Sequence, residues 1–280
     1  MEYVDGNVAS ELRETKGCAL GLFGTAEQDR RFRQQMANIQ VQLASCRFDQ
    51  IGAIHEGTED GEFVIGRELV TGRGPWSSAS AYYADLMKHV INACVQDARP
   101  AIPGFSLPII FEYLIGIYGD SHNNHGPFAL TNRDYGAHNI IVNDEFKILA
   151  VIDFDGVIAA PVEIVAQYPL HAFMNVPPLG YVSPKPAVIQ RVEFEKPKLT
   201  EYQQLLKDAE KRLYGDKAGH LGFADSLLST PASIYQGIMD YQEHSGTRNM
   251  VWMEIYSELL RRSVDMPRLS SCRSICRGST

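Results

Sequence analysis

The sequence predicts an α+β fold, predominantly helical, with one β-hairpin near its middle and room for one more near its start. Three observations predict it. Apolar residues recur at helical spacing in several long segments, as in Phe32, Met36, Ile39 and Leu43. Two short apolar runs, 139–142 and 147–153, flank the acidic turn Asn143-Asp144-Glu145. The chain has 280 residues, 45% of them apolar and 21% charged, which suffices to bury one large core.

The elements follow in order. In residues 1–6, Met1, Tyr3 and Val4 alternate with polar residues and read as the end of a strand entering a turn. Residues 27–46 form an amphipathic helix. The glycine-rich stretch 51–76 reads as loop with short strands, one at 63–65, and its 57–74 part as a surface excursion. Its TGRGP matches neither GxGxxG nor GxxxxGK and is no phosphate loop. Ser77, Ser78 and Ser80 offer caps for a helix at 80–97, with Tyr83, Leu86, Met87, Val90, Ile91 and Cys94 on its apolar face. Pro100 and Pro103 end it. A helix at 106–119 leads to the polar loop GDSHNNHG, where His122 and His125 lack a third ligand at fixed spacing and read as solvated.

Next come a strand at 128–131, a loop at 132–138 and the hairpin. Pro161 opens a helix with Glu163 in its first turn. Residues 171–198, with Pro177, Pro178, Pro184, Pro186 and Pro197, read as irregular. Helices follow at 199–213, 231–243 and 247–262. In the last, Met250, Met253, Ile255, Leu259 and Leu260 form a core stripe. Asp225, Asp240 and Glu243 are either surface charge or part of a pocket for a cation. Residues 263–280 read as a flexible tail.

The net charge of −8 argues against general nucleic-acid binding, because a phosphate backbone calls for a basic patch. It suits a small cationic or neutral partner. No apolar run reaches membrane-spanning length, and the start lacks a basic segment followed by an apolar one. Cys18, Cys46 and Cys94 read as small hydrophobes. Cys272 and Cys276 form a Cx3C without histidines to complete a zinc site. This usage fits a reduced, cytoplasmic chain.

The chemistry concentrates in residues 131–156. Asp134 is followed five residues later by Asn139, and Asp153 stands fourteen residues beyond, across the hairpin. Taken singly, each is also an ordinary turn or strand-end residue. Together they match the demands of phosphoryl transfer: one carboxylate beside the attacking hydroxyl, and an amide and a carboxylate as oxygen ligands for magnesium. Asp134 is then the base, and Asn139 and Asp153 the metal ligands. Asp155 supports the site or solvates its loop, and Arg133 pairs with a carboxylate. His138 points away from Asn139 by strand alternation and hydrogen-bonds within the loop.

These residues resemble the catalytic block of the aminoglycoside phosphotransferase and choline kinase group, within the protein-kinase-like fold. The match lies in Asp134, Asn139 and the run Ile152-Asp153-Phe154, with Pro161 and Glu163 resembling the start of the helix that follows. The resemblance extends thinly over residues 1–262. It implies transfer of the terminal phosphate of ATP, with Mg2+, to a hydroxyl of a small substrate. Where the family has a histidine two residues before the aspartate, this chain has Asn132, which takes over part of that histidine's bracing of the loop.

The opening MEYVDG resembles the hinge between the two lobes of that fold, with Glu2 and Tyr3 against the nucleotide. Lys16 is the only lysine before Lys88, and no phosphate-covering loop is found. The resemblance therefore covers the C-terminal lobe alone, with an exposed apolar interface that favours self-association. The alternative reading is a catalytically silent lobe that serves as a binding or interaction module.

Overall fold

The computed structural model describes residues 3–19, 21–59, 61–69, 71–96, 103–119, 123–170, 186–215, 222–227, 229–243, 256 and 259–261. Within them the chain is a mixed, predominantly helical α+β fold with curled antiparallel sheet. The order is β1 (Asn7–Val8), α1 (Ala9–Thr15), α2 (Ala26–Ser45), β2 (Arg47–Phe48), β3 (Gly52–Glu56), β4 (Phe63–Gly66), α3 (Ala79–Gln96) and α4 (Pro103–Tyr118). Then come β5 (Phe128–Asn132), a 3₁₀ turn (Ala137–Asn139), β6 (Ile140–Val142), β7 (Ile148–Val151), β8 (Val157–Ala160) and α5 (Val162–Val165). The last elements are α6 (Pro186–Tyr214), α7 (Phe223–Ser226) and α8 (Thr230–Glu243).

Helix α2 forms because its sequence supplies both a start signal and an apolar stripe. Gln28 N–H donates to Thr25 Oγ1, and Thr25 N–H donates to Gln28 Oε1, a reciprocal cap of two otherwise orphaned donors. Phe32 and Met36 are buried along one stripe, and Ala37, Val41 and Ala44 are buried further round the helix. The helix then serves as the spine on which β5 and α6 pack. Its buried Gln40 donates to the Gln167 carbonyl and accepts from the Tyr202 hydroxyl, both at 2.8 Å. Gln35 accepts from the Ile148 N–H, tying β7 to the same helix.

Strands β2-β5-β8-β3-β4 make one antiparallel sheet, and β1-β6-β7 make a second. The predicted hairpin is β6–β7, with Ile140 opposite Val151 and Ile141 opposite Ala150. Its turn is longer than Asn143-Asp144-Glu145. Asn143 Oδ1 accepts from the N–H groups of Glu145 and Lys147, and Phe146 sits at φ 58°. A phenylalanine holds this left-handed conformation because its ring is buried against Phe23 and Phe32, so packing offsets the backbone cost.

Several expectations are corrected. The short strands expected within 51–76 are β3 and β4, which pair as a hairpin, but β3 also pairs with β8 on its other side and Ile51 bridges Trp76, so this stretch is tied into the sheet. Strand β8 had no counterpart in the sequence reading. Residues 3–6 form no strand; pairing begins at Asn7, and helix α1 follows at once. Helix α6 starts at Pro186 rather than at residue 199. Proline is well suited to a first helical position, and Pro197 lies inside the helix. Lys198 Nζ donates to the Gly21 carbonyl at 2.7 Å, and Tyr168 Oη donates to the Leu199 carbonyl.

Cys46 is exposed rather than apolar filling. The tail 263–280, Cys272, Cys276, Met1, Glu2, His122, residues 171–185 and most of 247–262 lie outside the described residues, as do the side chains of Cys94, Asp240 and Glu243.

Two outcomes test this packing. Phe32→Ala removes the ring at the Phe23–Phe146 contact and is expected to cost about 3–5 kcal/mol in denaturant unfolding. The second concerns Glu210, whose pKa is raised by burial and, less, by Asp225. The N–H groups of Ala224 and Phe223 and the Arg47 guanidinium oppose that shift. A raised folded-state pKa means that stability is lost as pH rises through it. Glu210→Gln keeps an acceptor for the Ala224 N–H. Its Tm relative to wild type should therefore climb as pH rises above the ordinary glutamate range.

Candidate functional site

The site forms where the chain leaves β5 and re-enters the sheet as β8. Asn132 ends β5 directly opposite Val157 at the start of β8. Everything between them, residues 133–156, is a closed excursion whose two roots carry Asp134 and Asp153. The amide of Asn132 fastens those roots. Its Oδ1 accepts from the Asp134 N–H at 2.9 Å, and its Nδ2 donates to the Asp153 carbonyl at 2.8 Å. Asn132 is buried, so neither bond competes with bulk water. A Cβ on Gly156 would stand 2.8 Å from Asn132 Oδ1 and 3.2 Å from the Asp134 nitrogen, which explains why glycine occupies this turn.

Asp134 is gripped from its own loop. Asn139 Nδ2 donates to Asp134 Oδ2 at 2.9 Å and to the Asp134 carbonyl at 3.1 Å. His138 Nε2 lies 3.0 Å from Asp134 Oδ1. His138 and Asn139 thus both face Asp134, against the alternation expected of a strand. The physical reason is that Ala137–Asn139 is a 3₁₀ turn, so neighbours need not point to opposite sides. The loop is also held from outside: Leu170 N–H donates to the Tyr135 carbonyl and the Leu170 carbonyl accepts from the Ala137 N–H, both at 2.9 Å. The Tyr135 hydroxyl donates to the Met36 carbonyl at 3.0 Å.

With its nitrogen committed to Asp134, the Asn139 side chain has its carbonyl oxygen as the atom suited to a cation. Asp153 stands at φ 60°, a left-handed conformation that aspartate tolerates better than most residues, and its side chain is exposed. This donor set, one amide oxygen and one carboxylate, fits a hard cation that keeps several waters. Among the described residues no group of three or more His, Cys, Asp or Glu gathers as a metal centre. Asp155 is exposed in the turn before β8, and Tyr3 is exposed as well. His125 lies in an exposed contact with Asn124 Nδ2. A cavity of about 320 Å³ lined by Arg31, Gln34, Glu145 and Lys147 sits at the tip of the hairpin, away from its roots.

Sequence reasoning assigned Arg133 a carboxylate partner without identifying it. The partner is Glu68, in the loop after β4, which is 1% exposed. Nothing in the local pattern signals it, because the pair spans 65 residues. Buried Tyr82 and Tyr235 face the same guanidinium. Burial alone would lower the Arg133 pKa, but Tyr235, Tyr82 and Glu68 raise it above its ordinary value.

Comparison with protein-family models, with curated proteins and with solved structures gave no match to this chain.

The amide fork is testable directly. Asn132→Ala removes both of its bonds and leaves the Asp134 N–H and the Asp153 carbonyl without their partner. Unfolding free energy should fall by about 1–3 kcal/mol. Gly156→Ala should destabilise by a similar amount through steric conflict with the same amide, about 1–3 kcal/mol.

Proposed function

We propose that this chain carries the catalytic block of a cytoplasmic small-molecule kinase of the aminoglycoside phosphotransferase and choline kinase kind. The reaction is transfer of the terminal phosphate of ATP, with Mg2+, to a hydroxyl of a small neutral or cationic substrate. The observation that carries the reading is the Asn132 amide joined to both the Asp134 N–H and the Asp153 carbonyl. That junction brings the backbone of a base candidate and of a metal-ligand candidate to one point across an excursion of 133–156.

Asp134 takes the role of base, oriented by His138 and Asn139, and its side chain is 47% exposed and open to an acceptor hydroxyl. Asn139 and Asp153 offer oxygens to the magnesium that neutralises the phosphates. Asn132 is the brace between them, and Arg133 anchors the loop to the core. Asp155 supports the metal side from the exposed turn. On this reading Tyr3 and Glu2 belong to the hinge against the nucleotide.

A second reading, a catalytically silent binding module, draws on one observation: Leu149, Ile152 and Phe154, flanking Asp153, are all exposed. This apolar surface is suited to self-association. Among the described residues no helix is long and apolar enough to cross a membrane.

Calorimetry with Mg-ATP separates the two readings. The kinase reading expects saturable heat that depends on magnesium and is largely lost in Asp153→Ala, which removes the charged oxygen donor. In turnover assays Asp134→Asn should lower kcat by about 10²–10⁴-fold while binding persists. Absence of Mg-ATP binding to the wild-type protein overturns the kinase reading and leaves the module.

A further inference from the structure

We propose that Glu68 is a positioning residue for phosphoryl transfer, holding the Asp134 loop in register through its buried ion pair with Arg133. The inference rests on the phosphotransfer reading above and adds a part that neither the motif nor its resemblance contains.

Both oxygens of Glu68 are engaged. Oε1 pairs with Arg133 Nη1, and Oε2 accepts from Thr71 Oγ1 at 2.8 Å. The backbone under it is equally fixed: Glu68 N–H donates to the Arg73 carbonyl and Gly72 N–H donates to the Glu68 carbonyl, both at 2.8 Å. The loop is bolted to α3, since Asp85 accepts from Arg73 Nη1 at 2.6 Å and from Trp76 Nε1 at 3.1 Å. Glu68 therefore acts as a rigid strut rather than a flexible arm.

The other end of the strut is Arg133, flanked by the brace and the base. Its N–H donates to the Gly156 carbonyl at 3.1 Å, and its side chain points into the interior toward Glu68 and the buried rings of Tyr82 and Tyr235. Asn132, Arg133 and Asp134 are thus held in succession by an amide fork, an ion pair and the Asn139 amide. The carboxylate of Asp134 remains half exposed while its backbone is fixed on both sides.

Stability does not account for the pair. A buried Arg–Glu pair is costly to desolvate, and an apolar pair of the same size is often as stable. Its specific contribution is direction: the Arg133 side chain has one acceptable place to lie, and that sets the torsion of the residue before Asp134. A misplacement of about 1 Å in a catalytic group is enough to cost on the order of a hundredfold in rate.

The test uses the full chain as wild type, Glu68→Gln, Arg133→Met and the double variant. It measures Mg-ATP turnover alongside amide hydrogen exchange. Glu68→Gln should lower kcat by about tenfold or more, leave KM for nucleotide within about threefold, and speed exchange at 133–139 while β6 and β7 keep their protection. The double variant should be no slower than Arg133→Met alone, because the effect of Glu68 passes through Arg133. Losses that multiply, or unaltered exchange at 133–139 in Glu68→Gln, overturn the strut. Wild-type protein that turns over no Mg-ATP overturns the catalytic claim together with the kinase reading, while the exchange result decides the strut separately.

Discussion

The antiparallel pairing of β5 with β8 is the constraint on which the rest of this structure depends. Ala129 lies opposite Ala160, Leu130 opposite Ala159, Thr131 opposite Ile158 and Asn132 opposite Val157. These four pairs close the chain on itself and turn residues 133–156 into a loop with a common root. A hairpin then has to project from that root, and the residues just inside it have to meet. Asp134 is two residues past the last pair and Asp153 four residues before it. Their approach is thus a consequence of sheet register. A slip by one residue would reverse the faces of β5 and move Asn132 out of reach of Asp153.

Around that root, polar groups are used where apolar ones would have been cheaper to bury. Asn132, Asn139, Glu68 and Glu163 are all buried, and Arg133 nearly so. Each is bonded across a long stretch of chain or to the backbone of the loop it shapes. Buried polar groups that must all be satisfied leave few alternative arrangements, which gives such a network its specificity. The carboxylates offered to solvent are different. Asp134 is half exposed, and Asp153 and Asp155 are exposed, mounted on a frame that is not. On the proposed phosphotransfer reading, a rigid interior carrying exposed oxygens is the arrangement that would serve a cation and a phosphate.

The sequence reading was most faithful where the signal was local. Phe32 and Met36 announced α2, the alternation around Asn143 announced the hairpin, and Pro161 with Glu163 announced α5. It went astray where a residue type has two meanings. Pro186 and Pro197 read as breakers, although one begins a helix and the other is carried inside it. Gly52 lies in a stretch that reads as loop with short strands, yet a Cβ there would strike the Gly66 carbonyl of the next strand. There glycine marks close strand approach rather than freedom. His138 was misdirected because three residues of 3₁₀ turn break the alternation that a strand would impose.

By itself the sequence determined the class of the fold, the hairpin, and the identity and spacing of Asp134, Asn139 and Asp153. Each of those is written in the order of side chains along a few turns of helix or a few residues of strand. Only the tertiary structure decided that Asn132 joins the two aspartates, that Glu68 is the partner of Arg133, and that β3 and β8 lie side by side. These contacts span from 21 to over a hundred residues of chain. They are selected by which surfaces can be buried together with every backbone group satisfied, and that condition belongs to the whole chain rather than to any segment of it.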